Sequence, residues 1–299
     1  MKSYTKKDIC YALERVGVKQ GDLVFITIRL FSIGKLEGCE SKKEFNQTYL
    51  NAIFDVIGKK GTLVVPTYSQ QVGRFGLPYI HEETPTLAGV FPEFIRQHPG
   101  SIRSFHPVFS LTALGYHAKE ICGNVSTNGF GMGSAYDNLF KHGGYSISIG
   151  FDYESGHIVT GTHYIECSYA VPYYYNKILK VDVYKDGKRC DKVFTLNVRY
   201  VDFDIKHNFL GYIEALRKKK LLKSYPIGES ILYSSRLEKQ LNVGYELLNE
   251  NVYAFLEHSP SWKEGVIPFD GPKERLDNQE LKEINWHGFR LQSWGKLWK

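Results

Sequence analysis

At 299 residues, with 42% hydrophobic and 23% charged side chains, the chain can hold one large α/β domain or two ordinary ones, and it has the composition of a water-soluble globular protein. The net charge, 38 − 32 = +6, is mild and spread out, which argues against a nucleic-acid partner. The one dense basic run, Arg217-Lys218-Lys219-Lys220, falls at an expected helix end, where cations suit the dipole. No apolar run reaches membrane-span length and residues 1–8 carry no signal-peptide pattern; five scattered cysteines without a C-x-x-C pair argue against a disulfide framework or a cysteine zinc site. A cytoplasmic protein without a membrane partner is expected.

From the N-terminus, Ile9, Ala12, Leu13 and Val16 recur at helical spacing and predict a helix over 5–16. Leu23 to Ile28 reads as a buried strand, and residues 29–38 as a loop with two glycines. Ser41 caps a second helix running to Ile57, and Gly61 to Pro66 is a second buried strand. Gln70 to Pro85 looks like a long irregular loop. Leu87 to Gln97 is periodic enough for a helix if Pro92 sits in its first turn. Phe109 to Leu114 and Tyr145 to Phe151 predict further strands, with a short helix over 135–141 between them.

Beyond this the texture changes. Residues 178–184 and 193–200 alternate around Asp186-Gly187, a hairpin signal, and Phe209 to Leu222 returns to helix. Residues 260–299 form a tail with Trp262, Trp286, Trp294 and Trp298 and little periodicity. The expected architecture is a single domain over 1–299, a layered α/β sandwich around a mostly parallel or mixed sheet, with an antiparallel hairpin excursion near 178–200.

Thr160-x-x-His163-x-x-Glu166 follows the strand ending near Gly150 and leads into a helix that Pro172 must stop. On a helix His163 and Glu166 share a face, and an imidazole backed by a carboxylate is a general base; an ordinary surface ion pair has the same spacing. No H-x-x-x-H or H-E-x-x-H pattern accompanies it, and no catalytic metal is expected.

Taken with Gly61 to Tyr68, with Arg103-Ser104-x-His106-Pro107-x-x-Ser110-x-x-Ala113-x-Gly115, and with Gly131-Met132-Gly133-Ser134 followed by Asp137, this motif resembles the aminoglycoside 3-N-acetyltransferase family. The resemblance spans roughly residues 15–175. It implies an acyltransferase that moves acetyl, or a longer acyl group, from coenzyme A to a small-molecule amine, sometimes as a homodimer. It makes His163 the base, with Glu166 either orienting it or meeting the acceptor. It places the loop Arg29, Leu30, Phe31, Ser32, Ile33 and Gly34, together with Ser104, His106 and Ser110, at the coenzyme, and Tyr68, Asp137 and Glu166 at the acceptor. His106 has a competing reading as a loop anchor, Ser110 as a buried strand hydroxyl, and Arg29 as a structural salt bridge.

Two departures bear on the acceptor. Thr27-Ile28-Arg29 stands where the family has a histidine and small hydroxyl residues, and Ser134-Ala135 where it has Ser-Pro. Arg29 could meet a phosphate of the coenzyme or of the acceptor. Polycationic drugs call for several carboxylates, while this chain is net positive and offers only Glu82 and Glu83 late in its long loop. The expectation is therefore a nucleotide-linked amino sugar for surface glycan synthesis, with an aminoglycoside antibiotic as the alternative.

Overall fold

The computed structural model describes residues 2–155, 161–200 and 203–263, so Thr160 and nearly all of the Trp-bearing tail lie outside it. A two-residue strand β1 (Ser3–Tyr4) precedes α1 (Lys6–Arg15), which starts where Thr5 and Asp8 cap each other's backbone amides. Next come β2 (Leu23–Ile28), β3 (Lys35–Leu36), α2 (Lys42–Ile57) and β4 (Thr62–Pro66). Ser41 caps α2 as expected, and Glu44 completes a second capping box with it.

Residues 70–85 are more ordered than a loop. They contain α3 (Gln70–Phe75), ended by left-handed Gly76, and β5 (Tyr79–Ile80). One and a half helical turns leave little periodicity to read, and the partner of β5 lies a hundred residues on. Helix α4 (Val90–Arg96) starts later than expected and carries Pro92 in its first turn, where no intrahelical amide bond is lost. β6 (Ile102–Arg103), β7 (Leu111–Gly115), α5 (Ala118–Cys122), α6 (Ala135–His142), β8 (Tyr145–Ile149) and α7 (Thr162–Tyr169) follow.

The excursion is two nested hairpins rather than one. The outer pair joins β9 (Tyr174–Ile178) to β12 (Thr195–Arg199). The inner pair joins β10 (Val183–Lys185) to β11 (Lys188–Arg189) around Asp186-Gly187, both at positive φ, and β10 also receives β5 in parallel. The chain then forms α8 (Leu210–Lys218), β13 (Lys223–Ile227), β14 (Ser230–Arg236) and α9 (Leu237–Glu250).

The central sheet has the order β13-β14-β8-β2-β4-β7-β6. Its middle strands β8, β2 and β4 run parallel, and both flanks add antiparallel strands. Alternation in β2 feeds two cores. Val24, Ile26 and Ile28 pack with α1, α2 and α4, whereas Phe25 packs with α5 to α9 on the other face. Apolar cover on both faces is why these strands read as continuous hydrophobic runs. No helix among the described residues is long and apolar enough to cross a membrane.

Candidate active site

The carboxyl ends of the parallel strands β2, β4 and β8 lie together, and the predicted site residues follow two of them closely. After β8 the chain turns at Gly150, whose φ is +83° and where a Cβ would stand 2.5 Å from the Arg29 carbonyl oxygen and from Ser32 Oγ. Only glycine lets the ends of β2 and β8 close on each other here.

Helix α7 begins at left-handed Gly161, where a Cβ would meet the Phe140 ring at 2.9 Å, and its Ile165 sits in a notch left by Gly244 of α9. These two glycines let α7 dock closely. The helix stops at left-handed Ala170, before Pro172. His163 falls in the first turn and Glu166 one turn on, with the side chain of His163 47% exposed and that of Glu166 fully buried.

Glu166 accepts four hydrogen bonds, two on each oxygen. Tyr173 Oη donates at 2.8 Å and His207 Nε2 at 3.0 Å to Oε1; His163 Nδ1 at 3.0 Å and Tyr174 Oη at 3.1 Å reach Oε2. Burial pushes this carboxyl up, but the bonds and charges of the two histidines outweigh it and bring the group down to about 2. A carboxylate can only accept, so the proton of neutral His163 sits on Nδ1. The lone pair of Nε2 then faces outward, with no hydrogen-bond partner among the described residues.

Sequence reasoning missed His207, Tyr173 and Tyr174. The tyrosines open the excursion, and His207 follows it, stacked on Phe209 with ring centroids 5.3 Å apart. No short motif joins the three to Glu166. The only signal is physical: a buried carboxylate needs several donors, and a tyrosine-rich segment just after the helix is a ready source.

The coenzyme-side expectations divide. Arg29 lies at the end of β2 with its guanidinium over the Phe151 ring at 5.5 Å, and no carboxylate pairs with it among the described residues. Ser32 Oγ bridges the Arg29 and Gly150 carbonyls at 2.8 and 2.7 Å. Leu30 and Phe31 continue this turn as a short 3-10 segment, and Ile33 is buried in the core. The close approach that glycine permits at 34 is to the Lys2 carbonyl, 2.4 Å from a Cβ built there, so that glycine serves the β1–β3 contact.

The Arg103 motif turns inward, and among the described residues the side chains of Arg103, Ser104, His106 and Ser110 all hydrogen-bond within the protein. Arg103 spends all five guanidinium N–H groups on Ser110 Oγ, the carbonyls of His81, Thr84 and Thr67, and Ser69 Oγ. Ser104 Oγ accepts from the Leu111 amide at 2.9 Å, and Ser110 Oγ donates to the Thr67 carbonyl at 2.7 Å. His106 Nδ1 accepts from the amides of Val108 and Phe109 at 3.2 and 3.0 Å, while Nε2 meets the Thr195 carbonyl at 3.1 Å. Burial brings His106 down to about 4, so it stays neutral in that role. The motif anchors the loop before β7 and ties β12 of the excursion to it.

The acceptor-side residues are partly committed as well. The Tyr68 hydroxyl hydrogen-bonds that of Tyr136 on α6. Asp137 accepts from the Gly133 amide at 2.7 Å, Lys141 Nζ at 2.7 Å and the Tyr164 hydroxyl at 2.9 Å. Burial opposes its ionisation, but Lys141, Gly133 and Tyr164 together hold it below the usual carboxylate range. Asp137 therefore fastens the glycine-rich loop and α6 to α7. A cleft of about 480 Å³, lined by residues such as Gly76, Lys180 and Arg189, belongs to the excursion and shares none of these side chains.

This arrangement, a buried carboxylate behind a half-exposed imidazole at the end of a mixed α/β sheet, has the chemistry needed to take up a proton. The family model described as aminoglycoside 3-N-acetyltransferase matches residues 25–249, and the chain belongs to that family, whose members are acyltransferases using coenzyme A. It is 29% identical over 215 residues to the SPbeta prophage-derived aminoglycoside N(3')-acetyltransferase-like protein YokD of Bacillus subtilis strain 168, covering 64% of this chain and 74% of that protein. It is 28% identical to aminoglycoside N(3)-acetyltransferase III of a Salmonella species, over 56% of this chain and 62% of that enzyme's length. A solved AAC-IIIb structure in binary complex with CoASH shares the fold, with TM-score 0.70 at 20% identity, covering 86% of this chain and all of that one.

Proposed function

We propose that the chain transfers an acetyl group from acetyl-CoA to an amine of an aminoglycoside-type amino sugar, by direct attack with His163 as general base. The observation that carries this reading is the pairing of an outward-facing Nε2 on His163 with a fully buried, four-fold hydrogen-bonded Glu166. The neutral amine nitrogen bonds to the acetyl carbon and the C–S bond breaks, so coenzyme A leaves as its thiolate. The proton lost by nitrogen passes to Nε2, and Glu166 stabilises the imidazolium that forms. With all four of its bonds inside the protein, Glu166 orients and charges His163 instead of touching the acceptor. No acyl-enzyme is needed, and no nucleophilic serine or cysteine enters the scheme.

The coenzyme belongs at the joined ends of β2 and β8, where the turn from Arg29 to Gly34 and Gly150 bring backbone within reach of a pantetheine arm. Arg29, exposed and without a carboxylate partner among the described residues, suits a coenzyme phosphate. The nucleotide-linked acceptor suggested by charge has less support, because Arg29 fits the coenzyme equally well and the named relatives are an aminoglycoside N(3)-acetyltransferase and an aminoglycoside N(3')-acetyltransferase-like protein.

Free-thiol release from acetyl-CoA tests both acceptor classes. Turnover with kanamycin- or gentamicin-type amines is expected. Turnover confined to nucleotide-linked 3- or 4-amino sugars would transfer the assignment to the second class, and silence on both panels would remove it.

A further inference from the structure

A second group of the same three side chains lies at the other end of the sheet. His117 precedes α5, Glu120 lies in its first turn, and His142 is the last residue of α6. His117 Nδ1 lies 2.6 Å from Glu120 Oε2, and His142 Nε2 lies 3.4 Å from the same oxygen. The three ligand-capable atoms are all within 4.8 Å of one another, and the two imidazole rings are 5.1 Å apart. We propose that His117, Glu120 and His142 form a binding site for a divalent transition-metal ion such as Zn²⁺, with solvent completing the shell.

Two imidazoles and a carboxylate are the donor set of three-ligand zinc sites. Zinc–ligand bonds of about 2.0–2.2 Å in tetrahedral geometry put neighbouring ligand atoms roughly 3.3–3.6 Å apart. The Glu120–His142 separation already has that value. The Glu120–His117 separation must open by about 0.8 Å to reach it, and Glu120, with its side chain 54% exposed, has room to move.

The frame is fixed. The His117 amide donates to Thr62 Oγ1 at 2.9 Å, and Asn138 Nδ2 of α6 holds the carbonyls of Glu120 and Ile121 at 3.3 Å. No lysine or arginine competes for Glu120 among the described residues; Lys141, beside His142, is taken by Asp137. The nitrogen donors favour zinc, nickel, cobalt or copper over magnesium or calcium.

The ion would not act in the transfer chemistry. His117 lies beside Thr62, the first residue of β4, while the His163 site follows the carboxyl ends of the parallel strands, about 15 Å away along a five-residue strand. What the ion joins is α5 to α6, and α6 carries the Tyr136 and Asp137 contacts that hold Tyr68 and α7. It acts as a clip, adding stability while bound.

The test is Zn²⁺ titration of the untagged full chain by calorimetry, with thermal midpoints measured alongside. One ion per chain is expected, with a rise in midpoint that Mg²⁺ does not reproduce. His142→Ala and Glu120→Gln, both at exposed positions, should lose that ion and the midpoint rise while keeping the metal-free midpoint and kcat. His207→Gln should keep both ion and rise. Unchanged stoichiometry in His142→Ala, or loss of the ion in His207→Gln, would overturn the proposal by moving the metal to the other triad or to scattered groups.

Discussion

His163-x-x-Glu166 with His207, and His117-x-x-Glu120 with His142, are the same residue types at the same local spacing, yet their surroundings give them opposite chemistry. The Glu166 side chain is fully buried, and two tyrosines reinforce the two histidines in donating protons to it. With all four contacts made, the carboxylate is satisfied by N–H and O–H groups, and a metal could enter only by displacing them. Glu120 is 54% exposed, and among the described residues only the two histidines pair with its carboxylate. Its lone pairs are open to water or to a cation. Burial and donor count, rather than residue identity, therefore decide whether such a triad manages a proton or holds an ion.

The comparison breaks first at His163. Alanine there should lower kcat for acetyl transfer by about 10²–10⁴-fold, the usual range for a positioned general base, while coenzyme A affinity changes by less than about twofold. His117→Ala should leave kcat in place. Comparable loss from both would mean that the two triads are one functional unit. Glu166→Gln should come next, at about 100-fold in kcat. Its amide N–H groups would face donors from two histidines and two tyrosines, adding a stability cost of about 2 kcal/mol measurable by urea unfolding. Glu120→Gln, measured without metal, should do neither.

How much of this was legible in the sequence follows from how local each feature is. Thr5 with Asp8 and Ser41 with Glu44 cap helices through residues three apart, so both starts could be read directly. Buried strands such as Leu23–Ile28 were equally plain, because cover on both faces leaves unbroken apolar runs. β5 and the nested excursion were not, since Tyr79–Ile80 takes its meaning from a strand a hundred residues away. The same division runs through the site. His163 and Glu166 share one helix, and their pairing was expected. His207 reaches Glu166 across 41 residues, and only the fold brings them together. The Arg103-to-Ser110 motif was legible as a pattern, but the bonds by which Arg103 gathers the carbonyls of His81, Thr84 and Thr67 join segments up to 36 residues apart and needed the fold.

Acid sharpens the contrast between the carboxylates. The Glu166 carboxyl titrates at about 2 in the folded protein against 4.5 as its ordinary value, burial being outweighed by its histidine partners. The folded value is the lower one, so this stabilisation is fully present above pH 4.5 and drains away as the pH falls toward 2. At about 1.4 kcal/mol per pH unit it amounts to about 3 kcal/mol in all. Between pH 5 and pH 3, the wild type and Glu120→Gln should each lose about 2 kcal/mol more than Glu166→Gln in urea unfolding. The half-buried His81 and the buried His106, brought down to about 3 and about 4, also cost stability in acid, but they do so in all three proteins and cancel in the comparison. Equal losses in the three would mean that the folded Glu166 carboxyl is not depressed.

The smallest effect separates the third members of the triads. His207 acts through Glu166, with Nε2 donating to Oε1 at 3.0 Å while its ring is stacked on Phe209. His207→Phe preserves the stack but removes one of four donors, so Glu166 can rotate and His163 loses part of its alignment. A fall of about tenfold in kcat with KM for acetyl-CoA unchanged is expected, corresponding to about 1.4 kcal/mol. Glutamine can return an N–H to the same carboxylate oxygen, and His207→Gln should recover most of the rate. A role confined to packing would reverse the order, with phenylalanine nearly neutral and glutamine damaging. At the other end of the sheet, His142→Phe in metal-free protein should leave kcat within about twofold, because no step of the transfer passes through Glu120.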